Sequence, residues 1–287
     1  MSVNDDWDLH GRTIMVTGAT DGIGREVARE AVRLGARLIL HGRDARRAEA
    51  ARRDICESTG SDEVEVVLAD FTSLRQVRTL ADEVRGLTDR LHVLVDNAGV
   101  YQERRHLTQD GLETTLQVNF VAPFLLTNLL LDLLLADPPS RIVLVASAVH
   151  QRAAIDLDNL QGEKRYDGYA AYGLSKLADL LFTYELADRL QGTGVTVNAM
   201  HPGAVSSKLL HAGFRPFGGG SPREGADTIV YLAASPDVEG TTGEYFVDRR
   251  PVSSSPASYN RQLREAFWSL GERLTGLDKG EQAAATG

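Results

Sequence analysis

Thr13-Ile14-Met15-Val16-Thr17-Gly18-Ala19-Thr20-Asp21-Gly22-Ile23-Gly24 is the stretch on which the fold turns. A short apolar run enters a glycine-rich turn, a helical pattern follows to about Leu34, and Ala36 to Leu40 reads as the next strand. Strand, glycine turn, helix and strand in that order make a βαβ unit. The glycines stand as G-x-x-x-G-x-G at Gly18, Gly22 and Gly24. They allow a backbone approach that a side chain would block, and the helix start behind them offers N–H donors and a positive dipole end. Thr20, Asp21 and Ile23 complete the turn.

The alternation continues outward. Helices are expected over Asp44–Ser58, Ser73–Gly86 (with Ser73 as N-cap), Gly111–Ala136 as one long helix, Tyr169–Leu190, Pro222–Ser235 and Ser258–Thr275. Strands are expected over Glu63–Leu68, Leu91–Val95, Arg141–Ala146, Val195–Met200 and Tyr245–Val247. Val/Leu/Ile-rich strands alternating with helices predict an α/β fold of Rossmann type. The sheet is doubly wound and mainly parallel, of about seven strands with helices on both faces. Neither a repeat nor an interdomain linker interrupts it, so residues 1–277 are expected to form a single domain and 278–287 a disordered tail. Loops at about 149–168 and 206–221 are long enough to need a purpose.

Composition narrows the function classes. A net charge of −9 gives no electrostatic support for nucleic acid. The single cysteine, Cys56, has no partner for an internal disulfide and no ligand-spaced neighbour. The acidic N-terminus lacks the apolar core of a signal peptide, and the run from Phe120 to Ala136 is broken by Thr127, Asn128 and Asp132, so no membrane span is expected and the protein is read as cytoplasmic. No metal is expected: His150 and His201 have no spacing to an acid or to another histidine that would make a ligand set.

Several residues stand at the C-terminal ends of strands, where open α/β sheets bind ligands. Arg43 follows His41-Gly42 at the second strand, with no carboxylate at the strand end itself. Its planar fork suits a ribose 2′-phosphate, which favours NADP(H) over NAD(H) as cofactor, although Asp21 places a carboxylate close to the phosphate site. Asp70-Phe71 follows the third strand, where the acid can accept from an adenine amino group. Asn97-Ala98-Gly99 follows the fourth and permits close packing against a cofactor. Tyr172 and Lys176 lie four residues apart on one helix face, and an ammonium beside a phenol favours phenolate.

Taken in order, the glycine turn, Asp70, Asn97-Ala98-Gly99, Asn119, Ser147, Tyr172-x-x-x-Lys176 and Pro202-Gly203 resemble the short-chain dehydrogenase/reductase family, from about Gly11 to Val247. Val118-Asn119-Phe120, Leu125 to Leu130, Ser175 to Phe182, Met200 to Gly203, Gly243 to Asp248 and Phe267-Trp268 resemble its retinol-dehydrogenase-like branch. Two positions depart from the family pattern: Asp96 stands where Asn is usual, and Ala146 where Ser is common. Before Thr17 there is no room for the membrane helix that anchors some members of that branch.

The resemblance implies an NAD(P)-dependent enzyme interconverting an alcohol and a ketone or aldehyde. Tyr172 would be the general acid/base, Lys176 would lower its pKa and bond the nicotinamide ribose, and Ser147 would hold the substrate oxygen. Asn119, in a helix that the family kinks, would support a water relay to Lys176. Pro202, Gly203 and Val205 would border the carboxamide. The substrate is expected to be set by residues 149–168, 100–107 and 206–221, which bring Tyr101, Leu107, Leu209, Leu210, Phe214 and Phe217 and favour a hydrophobic molecule. Two alternatives stay open: a dinucleotide-binding scaffold without turnover, and an epimerase or dehydratase on the same fold. Relatives often pair through their long helices, and here the C-terminal helix could cover that surface.

Overall fold

A computed structural model describes residues 7–206 and 219–277. Most of the 206–221 loop, with Leu209, Leu210, Phe214 and Phe217, and the tail after Leu277 lie outside the described residues.

The first strand, β1 (Thr13–Val16), sends Ile14 and Val16 to one side of the sheet and Met15 to the other, and all three are fully buried. This period-two division repeats in β2 (Arg37–Gly42), β4 (Val93–Asp96) and β5 (Ser140–Val145), so the apolar strands feed two cores, one on each face. With β3 (Val64–Leu68), β6 (Val195–His201), β7 (Tyr245–Val247) and β8 (Arg250–Pro251), the sheet order is β3-β2-β1-β4-β5-β6-β7-β8. Every pairing is parallel except β7 with β8. The chain runs outward from β1 in both directions, and the reversal between β1 and β4 opens a crevice at the strand ends.

One face is covered by α1 (Gly22–Arg33), α2 (Ala45–Thr59) and a later helix, Pro222–Ala234. The other carries α3 (Leu74–Leu87) and the segment 114–135, comprising α4 (Thr114–Leu116), a π-helical turn Gln117–Val121, α5 (Ala122–Leu129) and α6 (Leu131–Leu135). It also carries α7 (Gly168–Arg189). Pro222–Ala234 is α8, held at its start by a reciprocal Ser221/Glu224 capping box. The last helix, α9 (Arg261–Thr275), lies across α5 and α7. Its Phe267 meets Phe120 edge-on at 6.0 Å and its Trp268 meets Phe124 at 5.1 Å, while the Arg189 guanidinium sits 3.8 Å over the Trp268 ring. Gly271 lets α9 come this close, because a β-carbon there would stand 2.8 Å from the Phe124 ring.

Three expectations are corrected. The sheet has eight strands rather than about seven, because the two-residue β8 is too short to leave a pattern in sequence. The final helix begins at Arg261, after a 3-10 turn at Pro256–Tyr259, rather than at Ser258. The long helix of 111–136 is not continuous and starts only after Glu113, whose carboxylate accepts from Thr115 and Leu116 N–H. Pro123 has no N–H for the Asn119 carbonyl, so the α pattern cannot pass this turn, and the Ala122 N–H reaches back to Gln117 instead. No helix among the described residues is long and apolar enough to cross a membrane.

Candidate active site

The glycine turn is pinned from beneath by the strand that crosses the switch point. Asn97, just past β4, donates from Nδ2 to the Thr17 carbonyl at 2.8 Å and to the Gly18 carbonyl at 3.3 Å. The Thr17 hydroxyl accepts from Asn97 N at 2.9 Å and Ala98 N at 3.0 Å. Gly24 must lack a side chain here, since a β-carbon would lie 2.4 Å from Asn97 Nδ2 and 2.6 Å from the Gly18 carbonyl oxygen. From the other side, buried His41 accepts the Gly18 N–H on Nδ1 at 3.2 Å and donates from Nε2 to the Ala69 carbonyl at 3.0 Å. These partners fix a neutral tautomer, and burial pushes His41 down to about 4. Its ring stacks on Phe71 at 4.6 Å, so turn, histidine and phenylalanine form one column.

Beyond this column lie Arg43, Arg47 and Asp70. Asp21 has two bonds that sequence spacing does not reveal. It caps α1 through the Gly22 N–H at 2.8 Å, and its other oxygen holds Arg47 at 3.1 Å. A carboxylate that looked out of place beside a phosphate site is thus the helix cap and the rest position of a second guanidinium. Asp70 turns the chain by accepting from Thr72 N–H and hydroxyl at 2.9 and 2.8 Å.

At the opposite end, β5 delivers Ser147 and α7 delivers Tyr172 and Lys176. Tyr172 is 5% exposed. Burial raises its pKa, while Lys176 and the Ser147 hydroxyl pull it down and Asp179 adds to the rise. The Lys176 ammonium lies 5.9 Å from the Tyr172 ring centre and donates to the Val145 carbonyl at 2.8 Å and to Asp179 Oδ2 at 2.9 Å. Burial alone would lower the Lys176 pKa, but Asp179, Tyr172 and Asp96 together raise it. Tyr101 meets Tyr172 edge-on at 6.2 Å, whereas Leu107 is exposed. Asn119, in the π-helical turn, exchanges bonds with Val100 N and O at 2.8 and 3.0 Å and donates to Ser175 Oγ at 2.9 Å. His150 donates from Nδ1 to the Ser147 carbonyl at 2.6 Å and accepts the Ser255 N–H at 3.2 Å, tying the serine to the C-terminal segment.

A single cavity of about 770 Å³ joins the two ends. It is lined by the turn residues Gly18, Thr20, Asp21, Gly22, Ile23 and Gly24, by Arg43, Asp70 and Phe71, and by Asn97, Ala98 and Gly99. Ser147, Tyr172 and Lys176 close it, with Pro202 and Val205 on the flank. Two expected residues do not line it: Asn119 stands behind Val100, and Gly203 turns the backbone between Pro202 and Val205.

The family profile of short chain dehydrogenases matches residues 12–215. The chain belongs to the short-chain dehydrogenase family. Within it the chain is retinol-dehydrogenase-like, being 41% identical to mouse retinol dehydrogenase 14 over 94% of this chain and 88% of that protein. It is 39% identical to mouse retinol dehydrogenase 13 over 94% of this chain and 85% of that protein. Among solved structures, an uncharacterized protein from Mycobacterium Paratuberculosis aligns with a TM-score of 0.79 at 33% identity, covering 94% of this chain and 96% of that one. A short chain dehydrogenase from Escherichia coli CFT073 complexed with NADPH aligns with a TM-score of 0.70 at 28% identity, covering 83% and 96%.

Short-chain dehydrogenases bind NAD(P) and oxidise or reduce alcohol and carbonyl groups of small molecules, and this member shares that activity class. The site fits such a cofactor. The first turn of α1 borders the cavity, where its N–H groups have no partner within the helix, and no acidic side chain sits inside that turn. Three residues of this short-chain dehydrogenase were given no role in the sequence reading: His41, Arg47 and Asp179. Arg47, four residues after Arg43, and Asp179, three after Lys176, follow helical spacing and could have been found by it. His41 acts on backbone groups of distant segments and left no such signal, whereas His150, read from sequence as structural or pocket-lining, bonds the Ser147 carbonyl and the Ser255 N–H.

Proposed function

We propose that this chain interconverts an alcohol and a ketone or aldehyde on a hydrophobic small molecule, using NADP(H) in preference to NAD(H) and Tyr172 as general acid/base. One observation carries the reading: Tyr172, Ser147 and Lys176 converge at one end of a cavity whose other end presents Arg43 and Arg47.

The cofactor, when bound, supplies or takes up the hydride; the remaining work belongs to side chains. The glycine turn and the start of α1 would hold the pyrophosphate, Asp70 and Phe71 would border the adenine, and Asn97-Ala98-Gly99 would lie along the dinucleotide, since all of them line the cavity. Arg43 meets the 2′-phosphate. Arg47 joins it, because its pair with Asp21 is about half exposed on both sides and costs little to exchange. The E. coli relative complexed with NADPH supports the same preference. Pro202 and Val205 would border the carboxamide, with Gly203 shaping the backbone between them.

Tyr172, whose pKa burial raises, is placed to give a proton to a carbonyl oxygen that Ser147 steadies, or to take it back from the alcohol. An ammonium has three donors; Val145 and Asp179 take two from Lys176, and the third serves the ribose hydroxyls. Asn119 supports proton resupply, since its main-chain carbonyl receives no bond from Pro123 and can hold a relaying water. Val100, Val118 and Val149 give the substrate end an apolar lining, in keeping with relatives named for retinol.

The test is absorbance of NADPH and of NADH with the full chain and a panel of apolar aldehydes and ketones that includes retinal. Loss of NADPH at least about tenfold faster than NADH is expected. Tight cofactor binding with no turnover would make the protein a dinucleotide-binding scaffold. Substrate conversion without net change of cofactor would make it an epimerase or dehydratase.

A further inference from the structure

Two acidic side chains that do not line the cavity are buried close enough to Lys176, and to each other, for their charges to act on one another. Asp179, on α7, is 3% exposed and Asp96, at the end of β4, is 5% exposed. Each has one oxygen engaged: Asp179 Oδ2 by the Lys176 ammonium, and Asp96 Oδ2 by the Thr127 hydroxyl of α5 at 2.8 Å. Each has its other oxygen, Oδ1, buried with no hydrogen-bond partner among the described residues. The two are not equivalent. Asp179 contacts a cation, whereas Asp96 contacts only a neutral hydroxyl. An ionised carboxylate in the second position would be a buried charge without direct compensation, and it would sit near a second negative charge.

We propose that Asp179 and Asp96 form a buried carboxyl pair, in which Asp179 is the counter-ion of Lys176 and Asp96 holds a proton, and that this pair sets how strongly Lys176 acts on Tyr172. Asp179 and Asp96 are positioning residues in this scheme. The inference rests on Tyr172 being the acid/base of the proposed function.

The charges acting at this place agree with the geometry. Burial pushes Asp96 up to about 7; the Thr127 hydroxyl and Lys176 oppose the rise and Asp179 reinforces it. Burial pushes Asp179 up to about 6, against the pull of Lys176. Facing the pair are Lys176 and Tyr172 from α7, the Thr127 hydroxyl from α5, and from β5 only the Val145 carbonyl on Lys176. Burial raises both carboxyls, and the cation on Asp179, which Asp96 lacks, makes Asp179 the one that ionises first and leaves the proton on Asp96. Lys176 draws Tyr172 toward phenolate and Asp179 draws it back, so the carboxylate damps the lysine.

Two measurements on the full chain test this, and neither needs a substrate. Tyrosinate absorbance is titrated in the parent, Asp179→Asn and Asp96→Asn, each against the same protein carrying Tyr172→Phe, so that the difference isolates Tyr172. Asp179→Asn is expected to move the Tyr172 titration to lower pH by about one unit, roughly tenfold in proton affinity, and Asp96→Asn to move it less in the same direction. Infrared spectra should show a protonated-carboxyl band that is lost as pH rises through about 7, is absent in Asp96→Asn, and titrates at lower pH in Asp179→Asn, where Asp96 becomes the remaining counter-ion of Lys176. An unmoved Tyr172 titration in a folded Asp179→Asn protein overturns the proposal. The absence of an Asp96-dependent band in the parent overturns it as well, and that measurement does not require the Asp179 variant to fold. Turnover that survives Tyr172→Phe while the titration shifts as expected removes the acid/base role instead and leaves the pair standing.

Discussion

At the β1–β2 end of the crevice the chain turns sharply and each turn is tied to its neighbour: Asn97 to Thr17 and Gly18, His41 to Gly18 and Ala69, Asp21 to the first N–H of α1. At the β5–β6 end the chain leaves the sheet in a long excursion, 146–167, and Tyr172 and Lys176 reach the cavity from α7. The first end is a shape held by backbone bonds and the second a set of side chains carried on a long helix. A binding site for one invariant molecule can be built by the first method. A site for a variable substrate is served by the second, where loops change and the helix does not.

The difference can be probed by damaging one end and watching the other. Tyr172→Phe removes a single oxygen from the α7 end. Turnover should fall by about 10³-fold or more while NADP(H) affinity stays within about twofold, as measured by steady-state kinetics and fluorescence titration. Joint loss of both would mean the two ends are not separable.

His41 tests the other end through pH. The unfolded histidine takes up its proton near 6.5, the folded one only near 4. Below 6.5 the unfolded state therefore binds more protons, and stability should fall by about 3 kcal/mol as pH drops through that window, levelling off beneath it. Denaturant midpoints of the parent against His41→Gln across this range isolate the contribution. Gly24→Ala should cost about 1–3 kcal/mol of stability and weaken cofactor binding, because the new methyl must displace Asn97 or the Gly18 carbonyl, while Tyr172 titrates as before. The smallest effect sharpens the cofactor preference. Arg43→Ala should weaken NADPH about tenfold and leave NADH nearly unchanged, and Arg47→Ala should do the same to a lesser degree. Equal losses for both cofactors would remove the 2′-phosphate assignment.

The same division explains what could be read in advance. A mainly parallel sheet covered on both faces follows from the alternation of apolar runs with helices, and the glycine turn, Asn97, Ser147, Tyr172 and Lys176 have fixed spacing because each sits one short turn from a strand or on one helix face. The break at Gln117–Val121 has a local cause, Pro123, but a proline early in an apolar run also suits an uninterrupted helix with a kink, so the π-helical turn stayed hidden. The partners of His41 and His150 were illegible for a different reason. These partners, Gly18 and Ala69 for one and Ser255 for the other, are distant in the chain, and no periodicity encodes such pairings. Asp96 was visible as a departure from the family pattern, yet only its burial beside Asp179 gives the departure a physical meaning.

The aromatic seat of α9 bears on how the protein is made. Phe120, Phe124 and Phe182 are covered by Phe267 and Trp268, which belong to α9, the last helix among the described residues. During synthesis the sheet, the glycine turn and α7 all leave the ribosome before their cover does. A nascent chain therefore passes through a stage in which the cofactor end can already be assembled while an aromatic face beside α7 is still open to water. Chaperone dependence and sensitivity to premature termination should concentrate in that interval, at the end of the chain furthest in sequence from the turn that defines the fold.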